Sequence, residues 1–338
     1  MPPSPTIHTV AAAANVSIAT VSKVVNGIRT GVSEPTRKRV EAVIEQLGYR
    51  PSRIGRSLRT LRRSTIGMAI VDPNPTFLAD PFITNLVAGL ANYLSMQNFG
   101  LFLQGVKPHQ LQASFLVRES EVDAMCVMLT GPPRTRQSYM HALVDLGQPI
   151  VAFQELLDVR LKDVCFVRQD DRGGAMEIAR RVVARGARSV TMFIADIPWP
   201  AIDERIAGVR AVLSEARIEL RLIRCDETKL DAVARAVTDY LDKEGAPDAL
   251  IGQNDQIALT AMRVLKTRGL RIPDDVAVYG FNAFPFTEFA DPALTTVRSP
   301  AYELGEKGAE LLLARLESGQ FASIEHVLPV SLVPGASG

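Results

Sequence analysis

The sequence has few of the residues that build disulfide frameworks, metal sites and catalytic centres. Its 338 residues include three cysteines and four histidines. Cys126, Cys165 and Cys225 are odd in number and show no CxxC spacing, which favours reduced, buried thiols. The histidines are scattered, and the sequence contains neither a G-x-x-x-x-G-K-[ST] phosphate loop nor a G-x-S-x-G elbow. We therefore expect no enzyme activity, no cofactor and no metal site.

Long apolar runs are also missing. No uninterrupted apolar stretch approaches the roughly 18 residues that a membrane-spanning helix needs. The first residues contain three prolines instead of the basic patch and apolar core of a secretion signal. Hydrophobic residues make up 47% of the sequence and charged residues 22%, as in soluble globular proteins. We expect a cytoplasmic protein of two or three domains.

The charge is distributed unevenly along the chain. Residues 1–63 contain eleven Lys and Arg against three Glu, a net charge of +8, whereas the remainder carries −7. A basic head on an acidic body predicts that only the head contacts a polyanion such as DNA.

Residues 6–26 have the pattern of a helix-turn-helix. Two apolar runs at helical spacing flank Asn15, which can adopt a left-handed turn conformation, and Ser17, which can cap the second helix. The residues left on the outer face of that helix are Ile18, Ala19, Ser22, Lys23 and Asn26. These side chains are mostly short, polar or basic and suit a DNA groove. A helical hairpin used only for packing is the alternative. A third helix is predicted from Ser33 to Gly48.

The segment that follows is strongly basic. Ile54, Leu58 and Leu61 fall at helical spacing, with arginines on the other faces. So short and charged a helix is marginal in water. We expect it to form on DNA, where phosphates neutralise its arginines, and a flexible basic linker is the alternative.

From Thr65 onward, short apolar runs alternate with helical stretches. Strands are predicted at 66–71, 101–104, 124–129, 150–153, 190–194, 220–224, 249–251 and 276–279. Alternation of this kind indicates α/β architecture with parallel, doubly wound sheets. About 270 residues exceed one sheet of usual size, so two lobes with a ligand cleft at the carboxyl ends of the strands are expected. Residues 327–338 contain no heptad repeat, which argues against a terminal coiled coil.

The order and spacing of these motifs resemble the lactose-repressor (LacI/GalR) family of bacterial transcription regulators. Matching stretches are 6–26, 32–40, 47–51, 56–58, 65–67, 205–210, 254–258, 272–281 and 292–298. The resemblance implies a helix-turn-helix domain at 1–50, a hinge at 51–63, a first lobe at 64–168 and 298–326, and a second lobe at 169–297 and 327–333. The body is expected to resemble a periplasmic sugar-binding protein.

The resemblance also implies a function. We expect a homodimeric, ligand-responsive regulator that binds a palindromic double-stranded DNA operator and represses a sugar or sugar-acid catabolic operon. A cytoplasmic solute-binding protein without a regulatory role is the alternative, although the basic head argues against it.

DNA contacts are carried over residue by residue. Ile18, Ala19 and Lys23 match base-reading positions, and Leu58 matches the hinge leucine that wedges into the minor groove. The further DNA-binding residues expected are Thr6, Ser17, Thr20, Ser22, Asn26, Arg53 and Arg56. The family commonly has Arg at the position of Lys23. Because lysine lacks the planar guanidinium fork, a related but different operator is expected.

The effector site is carried over in the same way. Arg205 and Asn254 match effector-binding positions, whereas Gln154 and Asn282 stand where sugar-sensing members often have aspartate. Arginine among amides would tolerate an anionic effector, such as a sugar acid or phosphate, although amides also bind hydroxyls well. The further cleft residues expected are Asp72, Phe77, Phe82 and Trp199. The alternative for Trp199 is packing at the edge of a lobe.

Overall fold

A computed structural model describes residues 5–25, 27–49, 63–118 and 122–338 of the chain. These residues form two compact units, Met1–Ser64 and Thr65–Gly338, called here the head and the body. Four residues of the predicted DNA contacts, Asn26, Arg53, Arg56 and Leu58, lie outside the described residues.

The head contains helices α1 (Ile7–Ala13), α2 (Ile18–Val25) and α3 (Glu34–Leu47). Its core is built from Val10, Val21 and Val40, one from each helix, all fully buried. Three short helices of this size gain their stability from this shared core more than from helix propensity.

Local signals in the sequence set the ends of these helices. Thr6 and Thr9 form a reciprocal capping box at the start of α1, with the Thr6 N–H donating to Thr9 Oγ1 at 2.8 Å. Asn15 adopts a left-handed φ of 50° in the turn, and Ser17 Oγ accepts a hydrogen bond from the Thr20 N–H at 3.2 Å. Gly48, with a φ of 61°, ends α3. The predicted helix-turn-helix is confirmed.

The body alternates strands and helices along the chain. In order they are β1 (Thr65–Val71), α4 (Pro81–Met96), β2 (Gly100–Val106), α5 (Phe115–Arg118), β3 (Ala124–Leu129), α6 (Pro133–Val144), β4 (Ile150–Phe153), β5 (Val164–Gln169), α7 (Asp171–Ala184), β6 (Val190–Ala195), α8 (Pro200–Glu215), β7 (Leu220–Cys225), α9 (Leu230–Glu244), β8 (Ala249–Gly252), α10 (Asp255–Thr267), β9 (Ala277–Tyr279), β10 (Thr296–Arg298), α11 (Ala301–Ser318), β11 (Glu325–Leu328) and β12 (Ser331–Val333).

These elements form two lobes, each with its own parallel sheet. The sheet of lobe 1 has the order β11-β5-β4-β3-β1-β2, and that of lobe 2 has the order β7-β6-β8-β9. A short antiparallel pair, β10 with β12, completes lobe 2. The chain passes between the lobes after β5, after β10 and after β11, so each lobe is assembled from separate stretches of sequence. Leu328 pairs with Gln169 in lobe 1, which therefore extends past the predicted boundary at residue 326.

Helices cover both faces of each sheet. Strands β3 and β4 are buried along their whole length for this reason, and their sequences are almost entirely apolar. On one face of lobe 1, α4 and α11 pack against each other at glycines. A Cβ atom added to Gly89 would lie 2.0 Å from the Tyr302 carbonyl oxygen, and one added to Gly305 would lie 2.0 Å from that of Leu86. The backbones of the two helices are thus in direct contact.

The sequence predicts buried cysteines and no membrane-spanning helix. Cys126, Cys165 and Cys225 are all buried and unpaired. Within the described ranges, no helix has both the length and the apolar character needed to span a bilayer.

Candidate functional site

The outer face of α2 presents the predicted base-reading residues. Ile18 is 42% exposed, Ala19 is exposed, and Lys23 is partly exposed, while the valines of the same helix point into the head. Thr6 and Ser17 cap helices, so their side chains also fix the positions of α1 and α2. This arrangement leaves a short, ordered helical face available to a groove.

Some positive charges of the head also stabilise its fold. Arg39 Nε donates to the carbonyl oxygen of Ala14 at the end of α1, at 3.0 Å, and Arg37 donates to the carbonyl oxygen of Ile28. A cation at a helix C-terminus is favourable because the last carbonyl groups there lack helical partners. Sequence reasoning counted these arginines only as charge.

In the body, a cleft lies where the carboxyl ends of both sheets face each other. Many strands are followed there by a polar residue. A side chain just beyond the last buried position of a strand can reach a ligand in the cleft. A pocket in this cleft is lined by Asp80, Phe82, Met128, Gln154, Trp199, Ala201, Ile202, Arg205, Glu227, Gln253, Asn254 and Asn282. A wider cavity that shares four of these residues is lined by Asp72 and Phe77, among others. The structure thus brings all eight predicted effector residues to one cleft.

Arg205 lies at the centre of a buried polar network. Its Nε donates to Asp171 Oδ1 at 2.7 Å, its Nη1 donates to the carbonyl oxygen of Gln253, and its guanidinium lies 3.7 Å from the centroid of the Phe281 ring. Asp171 also accepts hydrogen bonds from Gln154 Nε2 at 3.1 Å and from Gln169 Nε2 at 2.8 Å. Burial raises the pKa of Asp171, and Arg205 acts in the opposite direction.

This network corrects one expectation. The prediction that the cleft tolerates an anionic effector assumed a guanidinium surrounded only by amides. Asp171 supplies the missing carboxylate, and Gln154 donates to it instead of replacing it. Asp171 was not among the predicted effector residues, although an acid two residues after a buried strand was an available signal.

Two further carboxylates, also missed, approach the pocket from opposite lobes. Asp80 precedes α4 in lobe 1, where its Oδ1 accepts a hydrogen bond from the Phe82 N–H at 2.8 Å. Glu227 follows β7 in lobe 2, and its Oε2 accepts from Gln253 Nε2 at 2.6 Å and Asn254 Nδ2 at 2.7 Å. Burial raises the pKa of Glu227 to about 7, and the negative charge of Asp80 contributes in the same direction. Burial also raises the pKa of Asp80.

Asn282 offers an acceptor that the described residues leave unused. The residue is 9% exposed, and its Oδ1 is buried without a hydrogen-bond partner among them. Its backbone is held on both sides, because its N–H donates to Val297 and its carbonyl accepts from Ser299. A buried acceptor without a partner is costly, so a ligand that donates to it would gain affinity.

The lobes also touch directly at the cleft. The Gly131 N–H of lobe 1 donates to the Pro198 carbonyl oxygen of lobe 2 at 2.9 Å. Trp199 is partly buried and packs against the cores of both lobes, in addition to lining the pocket. Trp199 therefore has a contact role between the lobes as well as a place in the cleft.

Comparison with known proteins identifies the family. Residues 6–52 match the model for bacterial regulatory proteins of the lacI family, and residues 179–338 match the periplasmic binding protein-like domain. The HTH-type transcriptional regulator CelR of Thermobifida fusca is 30% identical over 99% of this chain and 98% of its own length. The chain belongs to the lacI family. As a member of that family it is a DNA-binding transcriptional regulator and not an enzyme.

Solved structures of lacI-family proteins share the fold. The complex of the transcriptional regulator CelR with cellobiose is 29% identical, with a TM-score of 0.71 over 99% of this chain and all of that one. The lac repressor dimer bound to operator and the anti-inducer ONPF is 23% identical, with a TM-score of 0.85 over 99% of each chain. At the latter identity the likeness shows the architecture, a helix-turn-helix head followed by a two-lobed α/β body, and it confirms the predicted fold class.

Proposed function

We propose that this lacI-family protein is a homodimeric, cytoplasmic repressor of a sugar-utilisation operon, released from or held on its operator by a sugar bound in the cleft. The observation that carries the effector part is the buried Arg205 network, which presents a fixed guanidinium edge to a pocket of the cleft. This pocket shares lining residues with a cavity of about 740 Å³, which is large enough for a small molecule. The bound cellobiose of the CelR complex supports a saccharide as the class of effector.

The head supports the DNA part of the proposal. Its charge of +8 provides the electrostatic attraction to phosphates, and the exposed face of α2 provides the residues that contact base edges. Two heads on one palindrome require a dimer. Arg53, Arg56 and Leu58 extend this interface through the hinge, and their role remains a prediction from the sequence.

The chemistry of the pocket argues against an anionic effector. Arg205 is balanced by Asp171, and the nearby Lys229 is paired with Asp226 at 3.0 Å. Asp80 and Glu227 would repel a carboxylate or a phosphate. Hydroxyl groups, in contrast, can donate to these acids and to Asn282, while Phe82 and Trp199 provide aromatic walls. We therefore do not retain a sugar acid as the effector.

The two sites are coupled if effector and operator prefer different angles between the lobes. A ligand that contacts both lobes has a different affinity for the open and closed cleft, and it therefore shifts the balance between them. The sign of regulation depends on which form spaces the hinges correctly for the operator.

The test combines operator binding with effector binding. A labelled palindromic duplex, selected from a randomised pool with the full-length protein, is titrated by fluorescence anisotropy with and without each sugar of a panel. We expect one sugar to change operator affinity about 5–150-fold, the usual range of coupling between two sites, and Arg205→Ala to abolish this response while operator binding remains.

Two results would contradict the proposal. Operator affinity that did not fall with added salt would exclude a phosphate-contacting head. A sugar that bound without changing operator affinity would favour the solute-binding protein without a regulatory role.

A further inference from the structure

We propose that the cleft contains a subsite for a protonated amine, formed by Asp80 of lobe 1, Glu227 of lobe 2 and the side-chain oxygen of Asn282. The effector is accordingly an amino sugar or a similar amine-bearing polyol. This inference rests on the proposed function, because it takes the cleft as the effector site, and it narrows the chemistry of the ligand.

The hydrogen-bonding groups of this subsite favour a ligand that donates. The groups that hold Asp80 and Glu227 in place are neutral N–H donors from the backbone of Phe82 and the side-chain amides of Gln253 and Asn254. In the part of the chain that the structure describes, no ion pair reaches either acid. Asn282 adds an amide oxygen that is more than nine-tenths buried and has no partner among the described residues. All three residues line one pocket, so this part of the pocket accepts hydrogen bonds.

The charges that line the cleft favour a cation. The one guanidinium that lines this pocket, that of Arg205, is bound to Asp171. The wider cavity beyond adds Asp72, Asp196 and Asp226, and its lysine, Lys229, is paired. The lining residues therefore leave an excess of negative charge in a partly desolvated space, where a cation is attracted more strongly than in water.

Asp80 and Glu227 line one pocket from opposite lobes, so like charges face each other across the cleft. The charge of Asp80 accordingly adds to the rise in the pKa of Glu227. Their repulsion opposes closure. An ammonium group carries one positive charge and three donors, so it can neutralise this repulsion and bond to acceptors of both lobes. A hydroxyl group donates one hydrogen bond and leaves the repulsion in place.

The experiment is isothermal titration calorimetry of the full-length protein with sugars that differ in one group. The panel contains glucose, glucosamine and N-acetylglucosamine, together with cellobiose, fully deacetylated chitobiose and N,N′-diacetylchitobiose. The acetylated sugars retain the nitrogen but not its charge. At pH 7 we expect an amine sugar to bind at least ten-fold more tightly than its hydroxyl and acetylated counterparts.

Proton release provides a second readout. A bound ammonium stabilises the charged form of Glu227 and lowers its pKa, so binding near pH 7 should release protons from the wild-type protein. The binding enthalpy should then depend on the ionisation enthalpy of the buffer. Neutral sugars should show no such dependence.

Variants assign the effect to the two acids. Glu227→Gln should remove both the proton release that Glu227 supplies and most of the ten-fold preference, and Asp80→Asn should reduce the preference. Asp203→Asn, at an exposed acid on the helix that carries Arg205, is the matched control and should retain both. Thermal unfolding of each variant confirms that it is folded.

The outcomes separate this inference from the proposed function. If a neutral sugar binds as tightly as its amine counterpart and still changes operator affinity, the amine subsite is wrong and the regulator remains. If no sugar of either kind binds, the saccharide effector is wrong, and the amine subsite falls with it. A preference for the amine that survives in Glu227→Gln and Asp80→Asn would also overturn the subsite.

Discussion

Arg205 shows how a single buried side chain can be both structural and functional. The Asp171 carboxylate and the Gln253 carbonyl fix its guanidinium, so the edge facing the pocket needs little further ordering when a ligand binds. The same burial makes the pair vulnerable, since removing one charge leaves the other buried without its partner.

The first prediction concerns this pair. We expect Arg205→Met to lower the free energy of unfolding of the body by about 3 kcal/mol, because Asp171 then keeps a buried charge with only amide donors. The double variant with Asp171→Asn should recover about 1–2 kcal/mol, since no buried charge remains. Urea denaturation followed by circular dichroism measures these differences.

The control for this experiment lies on the same helix as Asp171. Arg180 pairs with Glu177 at the surface, where both side chains are about half exposed. Arg180→Gln should change stability by less than about 0.5 kcal/mol. If the double variant loses as much stability as the two single variants together, the two charges do not depend on each other, contrary to this prediction.

At the residue scale, several residues of the cleft could be predicted from the sequence, but three of its acidic residues could not. Arg205 and Asn254 could be predicted because each lies in a recognisable local motif. Asp171, Asp80 and Glu227 could not be assigned, because their importance depends on which residues face them from a distant part of the chain. Asp171 lies two residues after β5 and Glu227 two residues after β7, so an acid close to the end of a strand deserved more weight.

At the scale of elements, burial determined what the sequence could predict. Strands β3 and β4 have continuous apolar runs and were predicted with their observed bounds. Helix α7 begins at Asp171, because Asp170 caps it by accepting from the Gly173 N–H. The three-residue strands β10 and β12 were not predicted, since their pairing depends on the return of the chain to lobe 2 and not on local pattern.

The second prediction concerns the contact between α4 and α11. Replacing glycine by alanine inside a helix normally stabilises it by about 1 kcal/mol. Gly89→Ala should instead destabilise the body by about 2–3 kcal/mol, because the new methyl group would overlap the Tyr302 carbonyl oxygen and force the helices apart. Thermal and urea unfolding measure the change.

Ser95→Ala provides the comparison, because Ser95 is an exposed residue of α4. It should be neutral or slightly stabilising. A Gly89→Ala variant as stable as the wild-type protein would mean that the two helices can separate without loss of packing.

At the scale of the whole molecule, the head and the body differ in net charge and in the role proposed for each. Residues 1–63 carry a net charge of +8 and the remainder −7, so the electrostatic attraction to DNA is concentrated in the head. The distribution of charge along the sequence indicated this division. The contacts that join the lobes, such as that of Trp199 with both cores, could not be derived from sequence, because they arise only when the chain has crossed between the lobes.

The third prediction uses Trp199 as a reporter of the lobes. It is the sole tryptophan of the sequence, so tryptophan emission comes from one position, which packs against both cores. An effector that changes the angle between the lobes should change this emission. Thermodynamic linkage also makes the coupling reciprocal. If the effector changes the affinity for the operator by some factor, about 5–150-fold, the operator must change the affinity for the effector by the same factor.

Both factors can be measured on one sample, operator binding by anisotropy and effector binding by Trp199 emission. Trp199→Phe should lose the emission signal but keep an aromatic wall, and calorimetry then measures its effector affinity. Emission that stays constant at saturating effector, with operator affinity changed, would show that coupling does not pass through this contact.

The hydrogen bond between Gly131 and Pro198 has a consequence for the evolution of specificity. Its donor and acceptor are main-chain atoms, so exchanging the side chains that line the pocket leaves both in place. Selection can therefore alter which compound is recognised while this contact between the lobes is conserved. Because this contact does not depend on the side chains that line the pocket, the body is a suitable scaffold for engineered biosensors. In such a biosensor the pocket would be redesigned, and the response of operator binding would stay the same.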